Sequence, residues 1–99
     1  MTGTIKYGET ASSTLNNVPK DAFVAFIRTA TNSRIGVMTI TADGKYSLNL
    51  RSEYVFNWTD KIELDYKVGT DVYEYTTTLE ELFKNKDVVL TKAVGTTTP

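Results

Sequence analysis

The sequence contains neither cysteine nor histidine, and each absence excludes a class of chemistry. Without cysteine the fold cannot rest on disulfides, and thiolate zinc sites and iron–sulfur clusters are excluded. Without histidine the commonest general base and the commonest metal ligand are both missing, so Ser–His–Asp and Cys–His catalysis are impossible. A mechanism that uses carboxylates or lysines remains open to an enzyme of this sequence.

An excess of charge of one sign is also lacking. Eleven basic and 12 acidic residues give a formal net charge of -1, and the basic residues are scattered among the acidic ones. Because a nucleic-acid-binding surface usually shows a basic stripe, we predict no nucleic-acid partner. No segment approaches the roughly 20 apolar residues that span a bilayer, and the first residues lack the apolar core of a signal peptide. We therefore predict no membrane span and no signal peptide in this chain.

What is present fits one globular domain. The chain has 99 residues, of which 40% are hydrophobic and 23% are charged. A chain of this length buries roughly 60–70% of its unfolded surface and can form one core without disulfides or metals. We predict a single domain over residues 1–94. The Gly/Thr-rich residues 95–99 are predicted to be a flexible tail.

The hydrophobic pattern has a period of two, which is typical of β-strands with one face in the core. The clearest case is Lys61–Val68, where apolar and charged side chains alternate strictly. The other predicted strands are 2–7, 22–28, 34–42, 45–50, 53–58, 72–77 and 86–93.

Two local signals mark a hairpin and a helical turn. Asp43-Gly44 lies between two alternating segments, and Asp-Gly is a strong signal for a β-hairpin turn. Residues 78–83 fit a capping box, with Thr78 as the N-cap and Glu81 three positions later. This segment is predicted either as a short helical turn that faces the core or as a loop with anchoring apolar side chains. Gly8 to Lys20 is predicted to be a long loop or crossover.

Short strands at intervals of about ten residues indicate an all-β protein. A parallel α/β sheet would require long intervening helices, which the sequence lacks. We predict an antiparallel immunoglobulin-like or transthyretin-like β-sandwich of about seven strands.

The order of three motifs resembles that of a known family. Gly3-Thr4-Ile5, then Pro19 leading into Phe23-Val24, then Thr39 to Leu48 with its Asp-Gly hairpin, are similar to carboxypeptidase regulatory-like domains, a transthyretin-like or immunoglobulin-like β-sandwich family. The resemblance covers Gly3 to about Leu64. It implies a sandwich that acts as a spacer, adhesion module or accessory domain, with no catalytic residues.

The carboxylates do not predict a catalytic or metal site. Glu80 and Glu81 are adjacent and would diverge on a helix, whereas a glycosidase needs two carboxyl groups facing each other across a cleft. Glu63 and Asp65 share one strand face with two flanking lysines, which indicates a solvated, charge-alternating surface. We predict no catalytic residues, no cofactor and no metal.

Three aspartates at predicted turns carry the oxygen donors that calcium binds. Asp43, Asp60 and Asp71 could supply oxygen atoms, but aspartate is favoured in turns for its own backbone hydrogen bonds. We interpret all three as turn residues.

Aromatic residues are the best binding candidates. Tyr54, Phe56 and Trp58 would share one face of a strand. If exposed, such a row could stack on sugar rings or anchor a protein interface; if buried, it is core, which we favour for Phe56 and Trp58. The residues predicted to contact a partner are Tyr54, Trp58, Tyr73 and Tyr75.

These observations predict a non-enzymatic structural or interaction module that binds a protein partner or assembles with itself. A virion decoration or fibre subunit, or another surface-assembly component located on a virion or cell surface, fits this description. The alternative is an accessory or carbohydrate-binding adhesin domain of a larger secreted protein.

Overall fold

The computed structural model describes residues 1–10 and 12–93. The predicted tail at residues 95–99 lies outside this range. Nine strands and one helix occur in the described residues: β1 Thr2–Gly8, β2 Asn16–Asn17, β3 Phe23–Arg28, β4 Ser33–Arg34, β5 Gly36–Ala42, β6 Lys45–Leu50, β7 Lys61–Val68, β8 Asp71–Thr78, α1 Leu79–Lys84 and β9 Asp87–Lys92.

The strands close into a barrel. Seven of them follow one another as β1, β6, β5, β3, β7, β8 and β9, and β9 then pairs with β1 again. This closing pair is parallel, with Ile5 beside Val88 and Tyr7 beside Leu90, whereas all other pairs are antiparallel. The two short strands β2 and β4 pair with β1 and β3 outside the ring.

The prediction of an open β-sandwich is therefore wrong, although the all-β class is right. A sandwich has two separate sheets with free edges, whereas here β9 lies antiparallel to β8 and parallel to β1 and joins both ends of one sheet. The alternation of apolar and polar residues along a strand predicts which side chains face the core. It does not predict whether the sheet that carries them is open or closed.

The barrel interior is filled by side chains from every long strand. Tyr46 is its largest fully buried member, and its hydroxyl donates a hydrogen bond to the Lys86 carbonyl at 2.9 Å. Burial, with the nearby Asp87 carboxylate, raises the pKa of Tyr46 to about 12. Fully buried aliphatic and aromatic neighbours complete the core: Ile5, Val18, Phe26, Ile35, Ile40, Ile62, Leu64, Leu79, Leu82, Val88 and Leu90.

The predicted hairpin is confirmed. β5 and β6 are joined through Asp43-Gly44, and Gly44 has a φ of 74°, which glycine adopts without steric cost. The turn is also tied to the rest of the barrel. The Gly44 amide donates to the Val18 carbonyl at 2.8 Å, and the Asp43 carboxylate accepts from the Lys20 amide at 2.9 Å.

The predicted helical turn is confirmed as α1. The Thr78 hydroxyl oxygen accepts a hydrogen bond from the Glu81 amide at 3.2 Å, which is the expected N-cap contact. Leu79 and Leu82 are buried in the core, so the helix covers the end of the barrel where β8 finishes. Within the residues that the structure describes, no helix is long and apolar enough to cross a membrane.

One predicted strand is absent. Residues 53–58 form turns and loop rather than a strand, so the predicted row of three aromatic side chains on one face does not exist. The long loop predicted from Gly8 to Lys20 is interrupted by β2, which pairs with β1.

Candidate functional site

The loop between β6 and β7 is fixed from below by Arg28 at the end of β3. One nitrogen of its guanidinium, Nη1, donates to the Val55 carbonyl at 3.1 Å and lies 3.5 Å from the Asp60 carboxylate. Both side chains of this ion pair are mostly buried, with 16% and 17% of their surface exposed. Asp60 also accepts from the Asn57 amide at 3.0 Å. A mostly buried, hydrogen-bonded ion pair therefore holds the middle of the loop and its end before β7.

Tyr54 is part of this support. The guanidinium carbons of Arg28 and Arg51 lie 5.7 and 5.6 Å from the centre of its ring, which is cation–π distance for both. The ring is half-buried and packs against the core. Tyr54 therefore helps to fix the loop.

Trp58 is the exposed member of the loop. Its side chain is 59% exposed, so the interpretation of Trp58 as core is wrong, whereas Phe56 is half-buried against the core as expected. The prediction failed because the loop breaks the alternation that would have placed both residues on one inward face. Trp58 nevertheless has a fixed position. Its carbonyl accepts from the Glu80 amide at 3.0 Å, and its ring meets that of Phe83 edge-to-face at 5.2 Å.

A shallow groove lies on each side of the indole. One, of about 200 Å³, is lined by Leu50, Phe56, Asn57, Trp58 and Leu79. The other, of about 250 Å³, is lined by Trp58, Glu80, Phe83 and Lys84. Val55, which is 81% exposed, belongs to the same loop. We call Val55, Trp58, Phe83 and these two grooves the Trp58 surface.

Tyr73 and Tyr75 do not belong to this surface. They alternate on β8 opposite the buried Tyr66 and Leu64, and both are half-buried and pack against the core. The ring of Tyr73 meets that of Tyr7 edge-to-face at 4.9 Å. The four predicted partner-binding residues are therefore divided, with Trp58 on the surface, Tyr54 beneath it and the other two inside the barrel.

A cluster of carboxylates on the barrel's side differs from the predicted solvated face. Asp65 lies directly across from Glu74, and together with Glu63 they bring one oxygen each to within 4.8 Å of one another. All three are half-buried, and no basic side chain among the described residues forms an ion pair with them. Asp65 Oδ1 is buried without a hydrogen-bond partner in that part of the chain. These three carboxylates supply the oxygen donors that a divalent cation prefers.

The register between β7 and β8 creates this cluster. The sequence alone places Glu63 and Asp65 on one face of β7. Glu74 lies opposite Asp65 because the register of the two strands pairs Tyr66 with Tyr73. The three aspartates at the predicted turns form other contacts. Asp71 forms an ion pair with Lys92 at 3.4 Å, while Asp43 and Asp60 accept backbone hydrogen bonds as described above.

The carboxylate cluster predicts a pH-dependent stability. Protonated Glu63 can donate a hydrogen bond to the Asp65 carboxylate, and this bond, followed by burial and the Asp65 charge, raises the pKa of Glu63 from 4.5 to about 7. Thr76 on β8 and Ile27 on β3 face Glu63 directly, Glu74 lies diagonally across, and Lys61 is two positions away on the same strand. Since the folded protein binds this proton more tightly than the unfolded chain, the stabilisation is complete below about pH 4.5. It is lost as the pH rises towards 7.

Glu63→Gln should remove this loss. At pH 8 we expect the variant to be more stable than wild type by about 0.2–1 kcal/mol, because the neutral amide removes one of three clustered like charges, and near equal at pH 4. Urea unfolding at both pH values measures the difference, with Glu81→Gln on the exposed face of α1 as the control. The same pH dependence in wild type and Glu63→Gln would contradict the assignment.

A second apolar area was not predicted at all. Phe23 and Val37 on neighbouring strands β3 and β5 are 66% and 56% exposed. They line a groove of about 260 Å³ on the side of the barrel, with Arg34 and Arg51 at its rim. The guanidinium of Arg34 lies 5.3 Å from the centre of the Phe23 ring. The strand prediction treated β3 as a central strand that is apolar on both faces, which hid the exposure of Phe23.

Comparison of this chain with family models, with curated proteins and with solved structures finds no match. The resemblance to carboxypeptidase regulatory-like domains stays a prediction. The sandwich that it implied is replaced by the closed barrel.

Proposed function

We propose that this protein is a non-catalytic interaction module that docks a protein partner through the Trp58 surface. The observation that carries the proposal is the exposure of Trp58 between two grooves, at a position fixed by backbone and ring contacts. Tryptophan is enriched among the residues that dominate binding energy at protein interfaces. A large exposed indole is therefore the most informative single feature of the molecule.

The rigidity of the Trp58 surface supports the same function. Binding costs free energy when side chains and loops must be ordered, and less of that cost remains when they are already fixed. Here the Arg28–Asp60 ion pair, the Trp58–Glu80 backbone hydrogen bond and the contact with Phe83 order the loop before any partner arrives. The loop is thus preorganised for contact.

The closed barrel also favours contact through side chains. A free strand edge offers unpaired backbone groups for pairing with another chain, and closure of a sheet removes that edge. Among the described strands, the seven barrel strands each have a neighbour on both sides. A partner of this barrel therefore recognises side-chain surfaces. A surface-assembly role, such as a decoration or fibre subunit of a virion or a component of a cell surface, fits such a module.

The proposal is tested by replacing the indole. Trp58→Ser should weaken co-sedimentation with purified virions, or with cell envelopes, of the source organism by about 30-fold, since residues of this kind contribute about 2 kcal/mol or more. Val68→Ser, an exposed apolar residue at the end of β7 that belongs to neither the Trp58 surface nor its grooves, is the matched control and should bind as wild type does. Equal sedimentation of wild type and Trp58→Ser would contradict the proposal.

Carbohydrate binding is the second candidate, because an exposed indole beside Asn57 and Glu80 has the ring and the polar neighbours that stack on and hydrogen-bond to a sugar. Trp58 is the only tryptophan of the chain, so its fluorescence reports on this surface alone. Saturable quenching of Trp58 fluorescence by members of a glycan panel would favour carbohydrate binding. The control is Phe83→Ala, which removes one wall of the groove and should abolish this quenching. No change with any glycan leaves the protein partner as the function.

A further inference from the structure

The outer face that β4 and β5, then β3, β7 and β8 form on the side of the barrel carries opposite charges on its two flanks. The strands are neighbours in this order, and their outward residues are in register. Arg34 pairs with Ile27 on β3, and Ile27 pairs with Glu63 on β7. The next row contains Ala25, Asp65 and Glu74. The face therefore runs from an arginine flank, over β3, to the carboxylate cluster.

The arginine flank carries a guanidinium group without an acidic partner among the described residues. Arg34 is exposed, and its guanidinium forms no ion pair or side-chain hydrogen bond with any described residue. Instead it lies over the Phe23 ring, which together with Val37 gives this flank an exposed apolar surface. Arginine held over an aromatic ring in this way is oriented to bind a carboxylate through two parallel hydrogen bonds.

The carboxylate flank, in turn, lacks a basic partner in the described part of the chain. Glu63, Asp65 and Glu74 crowd together without a basic partner in residues 1–10 and 12–93, and the nearest lysines on β7 are two positions away at either end. Like charges directly opposite on neighbouring strands destabilise a sheet. A cation brought to this flank by another molecule would relieve the repulsion.

The spacing of the two flanks suits a second copy of the same chain. Neighbouring strands lie about 4.8 Å apart, so Arg34 on β4 is separated by about 10 Å from Glu63 and Asp65 on β7, with β3 midway. A two-fold axis along β3, in the plane between two facing barrels, exchanges the flanks. It brings each Arg34 to the other copy's cluster and places the apolar β3 side chains in the centre. Two-fold interfaces are self-complementary in this sense.

We propose that the outer face of β4, β5, β3, β7 and β8 is a self-association surface, on which Arg34 of one copy pairs with Glu63, Asp65 and Glu74 of the other across an apolar centre formed by Phe23, Ile27 and Val37. This surface lies on the side of the barrel and is separate from the Trp58 surface. The inference therefore does not depend on the proposed function. A molecule with both surfaces can bind a partner at its end while it pairs with a copy of itself along its side.

Charge reversal in two variants tests the proposal. Wild type is expected to show concentration-dependent dimers by sedimentation equilibrium at pH 8. Arg34→Glu places a carboxylate against the cluster, and Glu63→Lys/Glu74→Lys places cations against Arg34. Each variant alone should raise the dimer dissociation constant by roughly tenfold or more, since like-charge contacts across an interface cost several kcal/mol.

Mixing the two variants should restore the dimer, because both cross-contacts in the mixed pair again join opposite charges. Native mass spectrometry identifies this heterodimer by its mass. Lys6→Glu, an exposed residue on β1 at the far side of the barrel, is the matched control and should dimerise as wild type does. Thermal melting confirms that each variant is folded.

Three results would overturn the proposal. They are a wild type that stays monomeric at all concentrations, a dimer that Arg34→Glu leaves unchanged, and folded variants that fail to form the heterodimer on mixing. Stabilisation of the wild-type monomer by Ca²⁺, with no dimer, would instead assign the carboxylate cluster to a cation. Loss of partner binding in Trp58→Ser with normal dimers, or the reverse, separates failure of the proposed function from failure of this inference.

Discussion

Gly3→Val should destabilise the protein by about 3 kcal/mol or more, because Gly3 lies where β1 joins the two ends of the barrel. A Cβ atom at this position would overlap the Lys86 carbonyl oxygen and would lie 2.7 Å from the Tyr46 hydroxyl. That carbonyl accepts from the Thr4 amide at 3.3 Å and from the Tyr46 hydroxyl at 2.9 Å. Overpacking costs about 1–3 kcal/mol, and each lost hydrogen bond about 1 kcal/mol more.

The change in stability is measured by thermal unfolding, where a loss of this size corresponds to a fall of about 12–24 °C in Tm for a domain of this length. Thr2→Val is the matched control, since Thr2 is exposed on the same strand and the change should stay within about 0.5 kcal/mol. Tyr46→Phe removes only the hydroxyl and should cost about 1 kcal/mol. A Gly3→Val protein that melts with wild type would place β1 elsewhere.

Leu82→Ala should cost about 2–5 kcal/mol and should also alter the Trp58 surface. Leu82 is fully buried beneath α1, and truncation leaves a cavity at the end of the barrel. The same helix supplies the Glu80 amide and the Phe83 ring that hold Trp58 in place. Loosening α1 should therefore increase the quenching of Trp58 fluorescence by acrylamide.

Glu81→Ala is the control for this helix. Its side chain is exposed, while the amide that bonds to Thr78 is a backbone group and is kept. We expect a change within about 0.5 kcal/mol and unchanged quenching of Trp58. If Leu82→Ala were destabilised and Trp58 kept its wild-type quenching, α1 would cover the barrel without fixing the Trp58 surface.

Features determined by neighbouring residues could be predicted from the sequence. The Asp43-Gly44 turn was predictable because the φ of Gly44 is positive and the strands on either side alternate. The helical turn was predictable because Thr78 caps it and Leu79 and Leu82 fall on one side. In both cases the physical cause lies within about six residues, which a local pattern can represent.

Barrel closure could not be predicted in this way. The pairing of β1 with β9 joins residues more than 80 positions apart, and the alternation of Ile5 and Tyr7 or of Val88 and Leu90 is the same in a sandwich as in a barrel. Trp58 was misassigned for a related reason. Its loop is shaped by Arg28, a residue 30 positions earlier whose contacts with Val55 and Asp60 appear only in three dimensions.

The same distinction between local and long-range causes applies to the candidate surfaces. The exposed indole was named from the sequence as a binding candidate, but its exposure depended on the loop. The carboxylate cluster and the Arg34 flank arise from the register of four strands, and no local pattern contains that register. Surfaces of this molecule are thus products of pairing between distant strands.

The closed barrel is the basis for every surface described above, and its most direct test is a nuclear Overhauser spectrum of the labelled protein. The account predicts contacts between backbone protons of β1 and β9 in parallel register, linking Ile5 with Val88 and Tyr7 with Leu90. An open sandwich would instead show β9 in contact with β8 and no contacts between β1 and β9.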